Sequence, residues 1–157
     1  MNIFVLDRDI KLCAQYHCDK HVVKMILEYA QLLSSVHRVA GNAVGYELTH
    51  KNHPCAIWAR TCQENYDWLM ELALEVGDEY TYRYGKTHKS ISVIESLPDP
   101  KLGRSGLITE FPKCVADDLK NIPDVVDAYR EYYRRDKAHF CKWTGRETPI
   151  WFEFPEL

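Results

Sequence analysis

Apolar residues recur at steps of three and four from about Asp9 to Arg38, at Tyr16, Val22, Met25, Ile26, Tyr29, Leu32, Leu33 and Val36. That spacing lines one face of a helix and predicts a single long amphipathic helix, broken by Gly41 and Gly45. Ahead of it, the β-branched and aromatic run "NIFVL" predicts a short strand or a buried extended arm. Pro54 sits where a helix tolerates proline, in the first turn, and "CAIWARTCQENYDWLMELALEVGDEYTYRYG" predicts a second long helix ending near Gly85, with Gly77 the weak point of its middle. "HKSISVIESL" predicts a short third helix, stopped by Pro98 and Pro100, and the segment opened by Pro123 and Asp124 a fourth. The stretch between them, with Gly103, Gly106 and Pro112, is loop. The tail "TPIWFEFPEL" sets three aromatics between two prolines and predicts an extended arm rather than a helix. The expected fold is mainly α: a single compact domain over residues 1–157 with about four helices, an N-terminal extended segment and an aromatic C-terminal arm.

Composition adds limits. A chain of 157 residues with 46% hydrophobic and 27% charged residues is an ordinary globular domain, and a net charge of −3 argues against a polycation that coats nucleic acid. Any anion site must therefore be local. The six cysteines form no C-x-x-C pair and lie in apolar or helical contexts, as reduced thiols do. The opening apolar run is stopped by Asp7, Arg8 and Asp9, too short for a signal peptide or a membrane anchor, so a cytoplasmic protein without membrane contact is expected.

The run "HCDKHVVK", residues 17–24, then stands out. On the first helix His17, His21, Lys24, Glu28, Gln31, Ser35 and Arg38 follow steps of four and three, a polar stripe beside the apolar face, and Lys20 joins His17 to Lys24. A solvated face explains such a stripe, but solvated faces normally mix signs, and a cluster of one sign attracts an anion. Two loops repeat the pattern: "HKNHP" sets His50, Lys51, Asn52 and His53 before a helix start, and "KTHKS" sets Lys86, His88 and Lys89 before another. Free backbone N–H groups and the positive dipole end favour phosphate there, while ordinary capping by Asn52, His53 or Thr87 is the plainer reading. The three segments are expected to converge on one phosphate-binding surface, joined by Arg60 on the second helix.

Two rivals use the same residues. His17 and His21, at i and i+4, could share a zinc with Glu28 or a loop histidine, although Lys20 and Lys24 would then stand beside a dication. Cys18 could be a thiol nucleophile activated by His17 and His21, but it falls one step off the polar stripe, where a structural thiol is expected.

The runs "CAQYHCDKHVVKMILEYAQLL", "NYDWLMELALEVGDEYTYRYG" and "RETPIWFEF" resemble, in order and spacing, the phage pyrimidine-dimer DNA glycosylases of the endonuclease V type, and "NHP" resembles the bacterial branch of that superfamily. The resemblance touches about half of the chain. It implies a small helical fold with a histidine-bearing first helix, and a C-terminal arginine and Trp–aromatic arm near DNA, which fall on Arg146 and Trp151. It further implies an α-amine, exposed by loss of the initiator methionine, that attacks the sugar with help from a first-helix glutamate. Here Asn2 generally leaves Met1 in place, and an ungapped comparison sets Lys24 where that glutamate would be. Lys24 is then the expected amine nucleophile, with His21 and Glu28 completing the catalytic set. Trp151 stacks on an exposed base or packs under the arm.

The expected function is a DNA glycosylase or glycosylase-lyase on damaged or modified pyrimidines in duplex DNA, needing no cofactor or metal. A non-catalytic nucleic-acid or nucleotide-binding module and a metal-dependent hydrolase on His17 and His21 are the alternatives.

Overall fold

The computed structural model describes residues 1–153, whose regular elements are all helical, with no strand among them. The helices are α1 (Ile10–Tyr16), α2 (Asp19–Val39), α3 (Pro54–Thr61), α4 (Gln63–Tyr84), α5 (Ser90–Ser96), α6 (Val125–Tyr132) and the single turn α7 (Ile150–Glu153). A 3-10 turn, Asp117–Leu119, precedes α6, and a π-helical turn, Tyr133–Lys137, continues it. None of the helices is long and apolar enough to cross a membrane. The mainly helical class expected from the periodicity is the observed one.

Each long predicted helix is broken once. The first divides at His17 and Cys18, whose ψ angles of 127° and 162° are extended, and the freed Asp19 N–H donates to the Lys142 carbonyl at 2.7 Å. The second divides at Cys62, φ −158°, where the Gln63 N–H donates to the Gly103 carbonyl at 2.9 Å. In both places a distant loop carbonyl replaces the helical acceptor, a partner that no local pattern announces. Gly77 is not a weak point of α4. A Cβ there would lie 2.3 Å from Ile91 Cδ1, so the glycine lets α5 pack directly on α4.

The "NIFVL" run is an extended arm without a sheet partner. Ile3, Phe4, Val5 and Leu6 are all buried, and side chains satisfy the backbone. Phe4 N–H donates to the Tyr29 hydroxyl at 3.2 Å and Arg130 donates to the Leu6 carbonyl at 2.8 Å. The C-terminal arm departs from expectation. Ile150–Glu153 forms one helical turn, and the Trp151 ring packs edge-on to Tyr16 inside the core. The rest of the aromatic tail, from Phe154 on, lies outside the described residues.

Candidate active site

The arm ends on α2. Asn2 is clamped: its amide donates to the Cys114 carbonyl at 2.9 Å, and its Oδ1 accepts from the Ile3 N–H at 2.8 Å and the Tyr129 hydroxyl at 2.6 Å. This clamp sets the α-amine of Met1 3.3 Å from Glu28 Oε1, while Lys24 Nζ lies 3.6 Å from Glu28 Oε2. Glu28 thus stands between two amines. It is largely sheltered, with 12% of its side chain exposed, as is Met1 at 4%, whereas Lys24 is solvated at 64%. The carboxylate beside the Met1 amine is Glu28, and Lys24 lies one turn before it on α2.

The loop before α3 closes one side. His53 caps α3, its Nδ1 accepting from the Cys55 N–H at 3.0 Å. Burial lowers the His53 pKa below the usual histidine range, helped by the Met1 ammonium and His50 and opposed by Glu28, so the imidazole is neutral near pH 7. Those influences bring His53, His50, Met1 and Glu28 into one electrostatic neighbourhood. His50 adopts φ 52° in an exposed turn, next to exposed Lys51 and Asn52. The Arg60 guanidinium donates to the Lys51 carbonyl at 2.7 Å and holds the turn. On the other side, His88 donates to the Val23 carbonyl of α2 at 3.0 Å and accepts from the Ser90 N–H at 3.1 Å. The 85–89 loop, with exposed Lys86 and Lys89, is therefore docked on α2 at the residue before Lys24. The His88 loop thus meets α2, while His53 lies within the electrostatic reach of Glu28.

The two histidines of the opening run do not share that surface. His17 is fully buried and His21 is 5% exposed. His17 Nδ1 pairs with the Cys13 carbonyl at 2.7 Å and Nε2 with the Tyr29 hydroxyl at 2.7 Å. Since that hydroxyl accepts from the Phe4 N–H, its own proton goes to His17 Nε2, which leaves His17 neutral and protonated at Nδ1. Burial pushes its pKa down to about 3. His21 Nδ1 pairs with the Tyr133 hydroxyl at 2.6 Å, and its ring stacks on Phe4 at 4.2 Å. His37 repeats the device with Tyr66 at 2.8 Å. The break at Cys18 sets His17 outside α2, and tyrosine hydroxyls pair with both imidazoles. Cys18 is wholly buried.

Two more expected contacts are taken up internally. Arg146 donates to both Glu79 oxygens at 3.1 and 2.9 Å and lies over Tyr82. Trp151 is 7% exposed and cannot stack on a base from where it sits. A surface that the motif reading passed over lies beside Lys20. The Lys20 ammonium is 4.5 Å above the Phe140 ring, and Lys137 reaches both Tyr132, at 4.9 Å, and Phe140, at 5.9 Å. The cations interleaved with aromatics in "YYRRDKAHF" were the available signal, since nucleic acid is met by that mixture.

A family model described as pyrimidine dimer DNA glycosylase matches residues 1–92, which include Met1, Lys24, Glu28, His53 and His88. This is more than half of the 157-residue chain, and the chain belongs to that family. No curated protein and no solved structure matches it.

Proposed function

We propose that the protein is a DNA glycosylase-lyase acting on pyrimidine lesions, with the Met1 α-amine as nucleophile and Glu28 as its proton acceptor. The observation that carries this reading is the amine held 3.3 Å from a sheltered carboxylate, inside the family-matched segment. The Met1 end is sheltered, at 4% exposed, whereas Lys24 is solvated at 64%, which favours Met1 over Lys24 as the amine held against the carboxylate.

The deprotonated amine donates its lone pair to the sugar C1′. The glycosidic C–N bond breaks, and its electrons leave on the base, which takes up a proton. Loss of the amine proton and opening of the C1′–O4′ bond then leave an imine. Removal of a C2′ proton by Glu28 expels the 3′ phosphate and cuts the strand. Lys20, Lys24 and Lys137 face the phosphates, and Phe140 is the ring available for stacking.

Borohydride trapping on a duplex carrying a pyrimidine dimer tests this. A protein–DNA adduct is expected, mapping to the Met1 peptide, retained in Lys24→Arg and lost when residues are added before Met1. An adduct on Lys24 would reverse the assignment of the amine. Salt-dependent binding with no adduct on any lesion would favour the non-catalytic module.

A further inference from the structure

We propose that His53, Cys55 and Cys114 form a zinc site beside the Met1–Glu28 pair. One ligand atom from each of the three lies within 4.8 Å of the others. The two sulfurs are 3.7 Å apart. Tetrahedral zinc with Zn–S bonds of about 2.3 Å separates two thiolates by about 3.8 Å, whereas a disulfide needs about 2.05 Å. The sulfurs already stand at the edge length of a metal tetrahedron and far outside bonding distance of each other.

The three come from two segments far apart in the chain, which the core brings together: Cys55 is part of it and Cys114 packs against it. His53 and Cys55 flank Pro54 at the first turn of α3, and Cys114 belongs to the long loop before the 3-10 turn. Cys55 is buried, while His53 and Cys114 are partly exposed, so the cluster has a protected floor and an entry path. Two thiolates and an imidazole are a soft donor set that selects zinc over magnesium or calcium. With three protein ligands the fourth position is left to water or an exogenous donor.

His53 now spends its Nδ1 on the Cys55 N–H. Metal binding through either ring nitrogen ends that bond, because a ligand at Nε2 requires the proton on Nδ1. The exchange gives zinc a local signature at the Cys55 amide. The site also joins the arm to the loop, since the Cys114 carbonyl accepts from Asn2. The zinc proposal does not depend on the glycosylase reading. It departs from the expectation, drawn from sequence, that the protein needs no metal.

The test uses the full chain, stripped with chelator and then given zinc alone. One zinc per chain should survive desalting, Cys55 and Cys114 should become protected from alkylation, and the Cys55 amide resonance should shift. Cobalt(II) in place of zinc should show a thiolate-to-metal charge-transfer band. Cys114→Ser, Cys55→Ser and His53→Gln should each weaken zinc binding by at least about 100-fold, beyond what loss of an outer-shell partner costs. Circular dichroism checks that each variant folds, and the Cys55 amide reads the site in the unaltered protein if one does not. Absence of the charge-transfer band, zinc retention unchanged in the cysteine variants, or a Cys55–Cys114 disulfide forming with glutathione disulfide in excess zinc would each overturn the proposal. Borohydride trapping is read separately, so failure of the glycosylase reading leaves the zinc result standing, and the reverse.

Discussion

Two carboxylates in this molecule stand beside pairs of cations, and they are not alike. Glu79 on α4 takes Arg83 at 2.9 Å and the Nε and Nη2 of Arg146, and Arg83 goes on to Asp19 at 3.0 Å and the Gln15 carbonyl at 2.9 Å. Asp19 in turn accepts from the Thr144 N–H and hydroxyl. The cluster is closed, with planar guanidinium groups meeting carboxylates in fixed geometry, and it pins α4 to α1, the start of α2 and the 144–146 turn. Glu28 instead faces two primary amines at 3.3 and 3.6 Å, contacts too long for tight hydrogen bonds. Amines can give up a proton and attack, while guanidinium groups stay protonated at any working pH. The same pairing of charges therefore builds a strut at one site and leaves a reactive group at the other.

Acid separates the two most sharply, through the histidine that holds the arm. His17 accepts from Tyr29, which in turn holds Phe4 and so the Met1 end of the chain. Its folded pKa is near 3, below the ordinary histidine value of 6.5. The unfolded chain thus takes up the proton first as pH falls, and stability is complete above about 6.5 and lost between there and about 3. The full span is worth about 5 kcal/mol at 1.36 kcal/mol per pH unit. Urea unfolding of the wild type and His17→Gln should show the wild type's advantage shrinking as pH falls through that window, and a constant gap would refute the neutral, buried His17.

Next comes Glu79→Ala, which should cost about 3–5 kcal/mol because it leaves the wholly buried Arg83 short of a counter-charge. Thermal or urea unfolding reads this directly. A loss below about 1 kcal/mol would mean that Asp19 alone satisfies Arg83, and the closed cluster would no longer count as a strut. Glu28→Gln should do the opposite, lowering lesion cleavage by about 100-fold or more, roughly 2.7 kcal/mol of barrier, with folding changed by less than about 1 kcal/mol. If cleavage persists while stability falls, Glu28 belongs with Glu79 and the contrast fails. The smallest effect is expected at the cationic rim: Lys20→Ala should weaken duplex binding a few-fold and reduce the salt slope by about one, without changing which amine is trapped. An unchanged slope would move the DNA off that face.

Periodicity was enough for the helical class and for most of α2, α4, α5 and α6, because alternation of apolar and polar positions is a local property that burial rewards wherever the helix packs. It carried Glu28 and Lys24 to one face of α2 for the same reason. The chemistry at Met1 was different. It depended on Asn2 reaching Cys114 and Tyr129, contacts 112 and 127 residues away in the chain, and nothing near residue 1 reports them. His17 and His21 looked like charges because their partners, Tyr29 and Tyr133, are 12 and 112 residues distant. Arg146 likewise found an internal partner in Glu79, and Trp151 packs into the core. Sequence by itself determined the helical class, the amphipathic faces and the cationic character of three segments. Only the tertiary structure decided which polar groups are neutral and buried, which carboxylate meets the amine, and which two cysteines stand together, since each of those rests on desolvation and on a partner that folding alone delivers.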